Sequence, residues 1–275
     1  MTVQGFALCV GVNTVDPKHY AGWSGPLTAC EFDANDMSRL LSRRGFDVST
    51  LLTAAAKRDA VLGKLRYLAT IAKPGDTIVY SNSSHGGQLP DLNSDEDDGA
   101  DETLCMFDGE IVDDEYAHIW SLFKPGVRIV MISDSCHSGT VSRAVHGEPN
   151  LGDLTHDVRH MPSSVAGRTY DQNQAFYDPI LSSLHLDASR DNIEASVLLI
   201  SGCMDNQTSL DGFRNGLFTS NLLRVWNGGK FTGGYRSFRN QIARRMPNTQ
   251  TPNLYFAGKR CSKFEAQVPF TIGAI

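Results

Sequence analysis

No two cysteines in this chain stand in a C-x-x-C pair, and its six cysteines follow no regular spacing. A disulfide framework and a structural zinc site are both disfavoured on that ground. No apolar run approaches the length that spans a bilayer, so no membrane partner is expected. The N-terminus has neither a basic start nor a long apolar core, which argues against a secretory signal. Basic charge is in deficit: 25 Lys and Arg face 31 Asp and Glu, for a net charge of −6. Nucleic acid is therefore not an expected partner, whereas an acidic cleft would favour cationic substrates. No internal repeat is visible. What is present is ordinary globular material, 41% hydrophobic and 20% charged over 275 residues, enough for a large core. Cys9 lies within the apolar run Phe6 to Val12, where a buried free thiol is expected; Cys30, Cys105, Cys203 and Cys261 are read the same way. A reducing, cytoplasmic setting suits a working thiol.

The hydrophobic pattern alternates strand and helix. Phe6 to Val12, Asp47 to Leu52, the run before His85, the run before Cys136, and Val197 to Ile200 read as strands. Leu27, Cys30, Ala34, Met37 and Leu41 recur at three- and four-residue steps, the mark of a helix with one apolar face, and Gly45 stops it. Arg58 to Ala72, Asp114 to Phe123, Gly216 to Trp226 and Tyr235 to Arg245 are further helices, and Asp108-Gly109 centres a small hairpin. Such alternation implies an α/β fold with a mainly parallel sheet covered by helices on both faces. Val141 to Ala195 breaks the pattern. It is polar, His-containing and interrupted by Pro149, Pro162 and Pro179, and it is too long for an ordinary connection. Within it a helix is expected near Gln172 to Leu184. His156 and His160 have no evident third metal ligand and read as solvated.

Two of the strands end in reactive residues. Asp76 to Ser81 leads into Ser83-Ser84-His85-Gly86-Gly87, and Val127 to Ser133 leads into Asp134-Ser135-Cys136-His137-Ser138-Gly139. Ligands in open α/β sheets bind beyond the carboxyl ends of the strands, so a His and a Cys on two such ends can share one cleft. Thiol and imidazole together make a nucleophile and its general base. The adjoining glycines let backbone N–H groups approach a substrate oxygen, with Gly86 and Cys136 as the oxyanion donors. His137 is the weaker base candidate, because its neighbour in sequence is the nucleophile itself. Asp134 stands two residues before Cys136, so in extended chain both side chains face one way. Asp33 begins the helix after the first strand, on the same sheet edge. Two convergent carboxylates would bind Lys or Arg, the latter bidentately. Asp205 is a lesser pocket candidate.

These segments occur in a known order. Leu27 to Ala34, Ser83 to Gln88, the acidic loop ending Asp97 to Thr103, Asp113-Asp114-Glu115, Asp134 to Gly139 and Ser201 to Ser209 together resemble caspase-like cysteine peptidases, in the metacaspase and prokaryotic orthocaspase branch. The resemblance runs from about Phe6 to about Leu254, and Ser84 replaces the glycine usual before the catalytic His. It implies a caspase-like (caspase-hemoglobinase) three-layer sandwich, one peptidase domain over 1–275, and a monomer. It implies a Cys136–His85 dyad cutting after Arg or Lys in peptide or protein substrates, with Asp33 and Asp134 in the pocket and Ser83 supporting it. Residues 141–195 become a connecting insertion of the kind often cleaved, with Arg143, Arg159, Arg168 and Arg190 as candidate cut sites.

No cofactor is expected to be required. The loop Asp91 to Glu102 fails the EF-hand pattern. Calcium is the one ion that the resemblance offers, through Asp101, Asp113 and Asp114. The further acidic ligand usual in that family falls at Arg143, whose cation disfavours a divalent ion. A Cys-dependent phosphatase is disfavoured because six residues, not five, separate Cys136 from Arg143, and Asp134 would repel a dianion. A non-catalytic caspase-homologue binding module remains the alternative, separated from the peptidase by whether Cys136 reacts with an electrophilic Arg peptide.

Overall fold

In the computed structural model, which describes residues 2–92, 100–135, 158–183, 192–203, 210–212 and 214–273, the alternation resolves into two sheets. The strands in chain order are β1 (Gly5–Gly11), β2 (Asp47–Leu52), β3 (Thr77–Ser83), β4 (Gly86–Pro90), β5 (Ala100–Met106), β6 (Gly109–Val112), β7 (Arg128–Asp134), β8 (Ser196–Ser201) and β9 (Asn253–Gly258). Six of them form the main sheet in the order β2-β1-β3-β7-β8-β9, parallel except for the last pair. β4, β5 and β6 form a separate antiparallel meander.

The period-two rule of a strand sorts side chains to the two faces. Phe6, Leu8 and Val10 of β1 pack with Ile78 and Tyr80 of β3 on one side, and Ala7 and Cys9 with Val79 on the other. The first face is covered by α2 (Arg58–Ile71) and α3 (Asp113–Ser121) through Val61, Leu65, Tyr116 and Trp120. The second is covered by α1 (Cys30–Arg43), then by α5 (Leu217–Trp226) and α6 (Tyr235–Ala243), through Met37, Leu41, Phe218, Leu222, Phe238 and Ile242. Both faces of β1, β3 and β7 are therefore buried, which is why β1, β3 and β7 read as nearly unbroken apolar runs, whereas β2, at the sheet edge, is half-buried. A short α7 (Ser262–Ala266) adds Phe264 to the second layer.

Three elements depart from the sequence reading. β4 is built from Gly-Gly-Gln-Leu-Pro, a composition poor in strand propensity, and stands as a strand because β5 pairs with it. β9 is a short antiparallel edge strand that the pattern left unassigned. The expected helix near Gln172 to Leu184 is α4 (Ser163–Ser183); it starts after Pro162 and is broken at Asn173, whose side chain donates to the carbonyls of Thr169 and His19. Cys9, Cys30, Cys105 and Cys203 are free and buried as expected, but Cys261 is only half-buried. No helix among the described residues is long and apolar enough to cross a membrane.

Candidate active site

Register brings the strand ends level. Gly11 pairs with Ser83, and Ser83 pairs with Asp134, so β1, β3 and β7 finish side by side. Chain order departs from this line in both directions, to β2 on one side of β1 and to β3 on the other, which opens a crevice at that edge. Asp33, in the first turn of α1, is buried there and accepts a hydrogen bond from Ser83 Oγ at 2.8 Å.

His85 lies two residues beyond the end of β3 and is buried. Its Nε2 is 3.0 Å from the carbonyl oxygen of Gly25, which can only accept, so Nε2 carries the proton. Nδ1, which has no hydrogen-bond partner among the described residues, keeps the lone pair and is the basic nitrogen. The ring is flanked by Trp23, 4.7 Å away between centroids. Gly25 has φ +47°, and a Cβ there would come within 2.6 Å of Trp23, so glycine is needed to bring its carbonyl to the histidine. Burial lowers the pKa of His85 to about 4; the Gly25 hydrogen bond opposes the shift, and the nearby charges of Arg159 and His160 add to it.

Ser84 does not adopt a positive φ, so its backbone does not require the glycine it replaces. Its hydroxyl accepts from Asn82 Nδ2 at 2.9 Å, and the same amide reaches Ser135 Oγ at 3.2 Å, tying the β3 end to the β7 end. The carbonyl of Ser135 accepts from Cys203 Sγ at 3.4 Å. Cys136 follows immediately in sequence and, with 136–157, lies outside the described residues.

Arg159 occupies the pocket formed by the carboxylates. Its side chain is fully buried. One terminal nitrogen donates to Ser83 Oγ at 2.8 Å and to the carbonyl of Asp134 at 3.0 Å, and is 3.1 Å from the Asp134 carboxylate. The other donates to Asp33 and to Asp211, each at 2.8 Å. The helix α5 closes the floor: Gly216 N–H donates to Asp33 at 3.1 Å, and the N–H and hydroxyl of Thr219 donate to Asp134 at 3.1 and 2.7 Å. A helix N-terminus favours such anions. A Cβ on Gly216 would come within 2.6 Å of both Arg159 and Asp134.

The pocket holds more acid than base. Burial raises the pKa of Asp33 to about 6; Arg159 pulls it down and the charge of Asp134 pushes it up. Asp211 is lowered, because Arg159 and the Thr28 N–H together outweigh its burial. Burial opposes the charge on Arg159, but the surrounding acids hold it well above the ordinary arginine value.

The backbone of the same segment is paired as well. Gly86 N–H donates to the Arg159 carbonyl at 3.1 Å, and Met161 N–H donates to the Gly86 carbonyl at 2.8 Å. Val158 makes an isolated antiparallel bridge with Leu210.

The model of the caspase-domain peptidase family matches residues 4–267 of this chain. The chain belongs to the caspase-domain family of cysteine peptidases. It is 32% identical to metacaspase-1 of Cryptococcus neoformans over 74% of its own length and 50% of that protein's. With metacaspase-1 of Schizosaccharomyces pombe it shares 32% identity, covering 78% of this chain and 57% of the relative. It thus spans about half the length of the curated relatives it matches. A solved Geobacter sulfurreducens protein is 48% identical, with a TM-score of 0.91 over 98% of this chain and 100% of that one. Caspase-1 of Spodoptera frugiperda, at 12% identity and a TM-score of 0.53 over 94% of this chain and 87% of that one, is similar in fold.

Within this caspase-domain site the structure brings together His85, Gly86, Asp33, Ser83 and Asp134. Asp205 lies outside the described residues, as does Cys136. Asp211 is the acid that reaches the guanidinium, and sequence reading passed over it, as it did Gly25 and Thr219. Asp101, on β5, and Asp113-Asp114, at the start of α3, are described, yet no group of three or more His, Cys, Asp or Glu able to hold a metal occurs among the described residues.

Proposed function

We propose that the chain is a cysteine endopeptidase that cuts after Arg or Lys, with Cys136 as nucleophile and His85 as general base. The observation that supports it most is the seating of Arg159: its guanidinium on Asp33, Asp134 and Asp211, and its carbonyl on Gly86 N–H. A substrate arginine in the same seat presents its carbonyl carbon to attack. His85 Nδ1 takes the thiol proton, and the thiolate adds to that carbon. Gly86 N–H stabilises the developing oxyanion, a donor of a kind worth about two to three decades of rate. The amine then leaves with the proton from His85, and water releases the acyl group by the reverse proton path. An aspartate substrate would add a further negative charge to an already acidic pocket.

The test compares matched fluorogenic peptides ending in Arg, Lys, Asp and Leu, with and without calcium. Arg and Lys peptides are expected to be cut, and Cys136→Ala and His85→Ala to lose turnover while staying folded, because the two act as one unit. Turnover by the Cys136→Ala protein, or preference for the Asp or Leu peptide, would overturn the reading. Binding of an Arg peptide without hydrolysis by the wild type would leave a caspase-homologue binding module instead.

A further inference from the structure

We propose that the open edge of β4 and the cavity beside it hold the leaving-group half of a polypeptide substrate. The second residue beyond the cut places a long apolar side chain over Gly87, and the backbone after it pairs with Gln88. The inference rests on the peptidase reading above and extends it to the far side of the scissile bond.

The chain's own segment traces the first part of that path. With Arg159 in the acidic pocket, Gly86 forms a parallel bridge with His160, and Met161 N–H donates to the Gly86 carbonyl at 2.8 Å. His160, first beyond the seat, is half-buried, whereas Met161, second beyond it, is completely buried. The end of its side chain lies over Gly87, where a Cβ would come within 2.8 Å of Met161 Cε. Leu104, Cys105, Val165 and Ala166 belong to the same apolar cluster. Such a seat suits a long side chain without charge, because an unpaired ion buried there would lose its hydration.

The strand goes on where the chain's own course turns away. Pro162 has no N–H to give, and α4 begins at Ser163. The bond from Cys105 N–H to the His85 carbonyl marks those two residues as a hydrogen-bonded pair, and such pairs alternate along an antiparallel ladder. The N–H and carbonyl of Gly86 therefore point away from β5, as their bonds to Arg159 and Met161 show, and those of Gln88 point the same way. On that side the Gln88 backbone has no backbone hydrogen-bond partner among the described residues. A cavity of about 500 Å³ lies there, walled by Gln88 and Pro90 of β4, by Ala166 and Tyr170 of α4, and by His160 and Met161. A strand edge with unmet donors and acceptors takes up an extended peptide as an added strand. In the register set at Gly86, Gln88 N–H meets the carbonyl of the second residue beyond the cut, and the Gln88 carbonyl meets the N–H of the fourth. The third residue turns its N–H away, and in the chain's own segment that position is Pro162.

The experiment uses the wild-type full chain and internally quenched peptide amides that share one sequence up to Arg and differ after it. The chain's own segment contests the seat equally against every peptide, so ratios of kcat/KM are free of it. Met or Leu as the second residue beyond the cut should exceed Ala by about 10- to 100-fold in kcat/KM, as burial of the longer side chain implies, and Asp there should fall below Ala. Lengthening the Met peptide from two to four residues beyond the cut should add a gain of about three- to tenfold, corresponding to one hydrogen bond. N-methylation of the fourth residue should remove that gain, and proline as the third should keep it. Gly87→Ala should bring the Met-over-Ala ratio below about threefold, since its methyl group takes the space of the Met side chain. If that variant fails to fold, the peptide series on the wild type decides alone. Equal cutting of all the peptides, a preference for Ala or Asp as the second residue, or a gain that survives N-methylation would sink this proposal and leave the peptidase reading standing. A chain that cuts no Arg or Lys peptide of any length would overturn both.

Discussion

Three buried aspartates around Arg159 and the buried Glu110 beside Gly87 are handled in opposite ways. Asp33, Asp134 and Asp211 face a guanidinium and receive N–H donors from the start of α5 and from Thr28. Glu110, on β6, has the Thr103 hydroxyl on one oxygen and no hydrogen-bond partner among the described residues on the other. Burial pushes Glu110 up to about 7, so it is largely neutral below that pH. It packs under the strand: a Cβ on Gly87 would come within 2.8 Å of Thr103 Oγ1 and Met161 Cε. One site is thus furnished to keep negative charge available for a cation. The other tolerates a carboxyl by keeping its proton. Burial alone does not distinguish them; the donors and the cation do.

The comparison breaks most sharply on activity. Asp134→Asn should lower kcat/KM for Arg peptides by about 30- to 1,000-fold, the cost of truncating one partner of a buried, hydrogen-bonded charge pair. Glu110→Gln should change the same constant by less than about threefold, since the amide keeps the Thr103 contact and the pocket charge is untouched. Steady-state kinetics on both variants, with thermal melts to verify folding, decides it. Equal losses would mean that the acids act only through the fold.

Stability against pH sharpens it. Glu110 has a folded pKa raised above its ordinary value, so the folded state binds more protons between about 4.5 and 7 and its contribution falls as pH rises through that window. Glu110→Gln should therefore gain on the wild type by up to about 3 kcal/mol between pH 5 and pH 8. Denaturant melts at the two pH values test this, best in a Cys136→Ala background to prevent cutting. His85 has the opposite sign. Its folded pKa is depressed to about 4 from 6.5, so the unfolded state binds more protons between those values. Its contribution is complete above 6.5 and is lost as pH falls towards 4. Cys136→Ala/His85→Gln should lack that loss, again up to about 3 kcal/mol. A parallel pH dependence with and without His85 would show that the imidazole is not held neutral.

The smallest effect is expected at Ser84. Its backbone does not need glycine, and its hydroxyl joins Asn82 to the polar contact with Ser135. Ser84→Gly should cost about 1 kcal/mol for the lost hydrogen bond and added chain entropy, and leave the preference for Arg peptides unchanged. A tenfold or greater gain in kcat would instead mean that the serine restrains His85.

The sequence by itself determined the main sheet and the placing of His85 and Asp134 at its edge. Parallel strands buried on both faces must be apolar throughout, and β1, β3, β7 and β8 announce themselves for that reason. His85 and Gly86, just past β3, and Asp134, the last residue of β7, were proposed as base, oxyanion donor and pocket acid from their place at the strand ends. β4 and β9 were not legible, because each is a strand only through its partner and neither carries a run that demands burial. The second half of the pocket was hidden for the same reason. Asp211, Gly216 and Thr219 lie far in sequence from the acids they join: Gly216 reaches Asp33, Thr219 reaches Asp134, and Asp211 shares the Arg159 guanidinium with both, once β8 is laid beside β7. Gly25 looks like any loop glycine until its carbonyl is found on His85. Arg159 was one of four arginines in a polar insertion. Only the tertiary structure could single it out, because a guanidinium is chosen for a pocket by the convergence of charges and donors in space, to which spacing along the chain is blind.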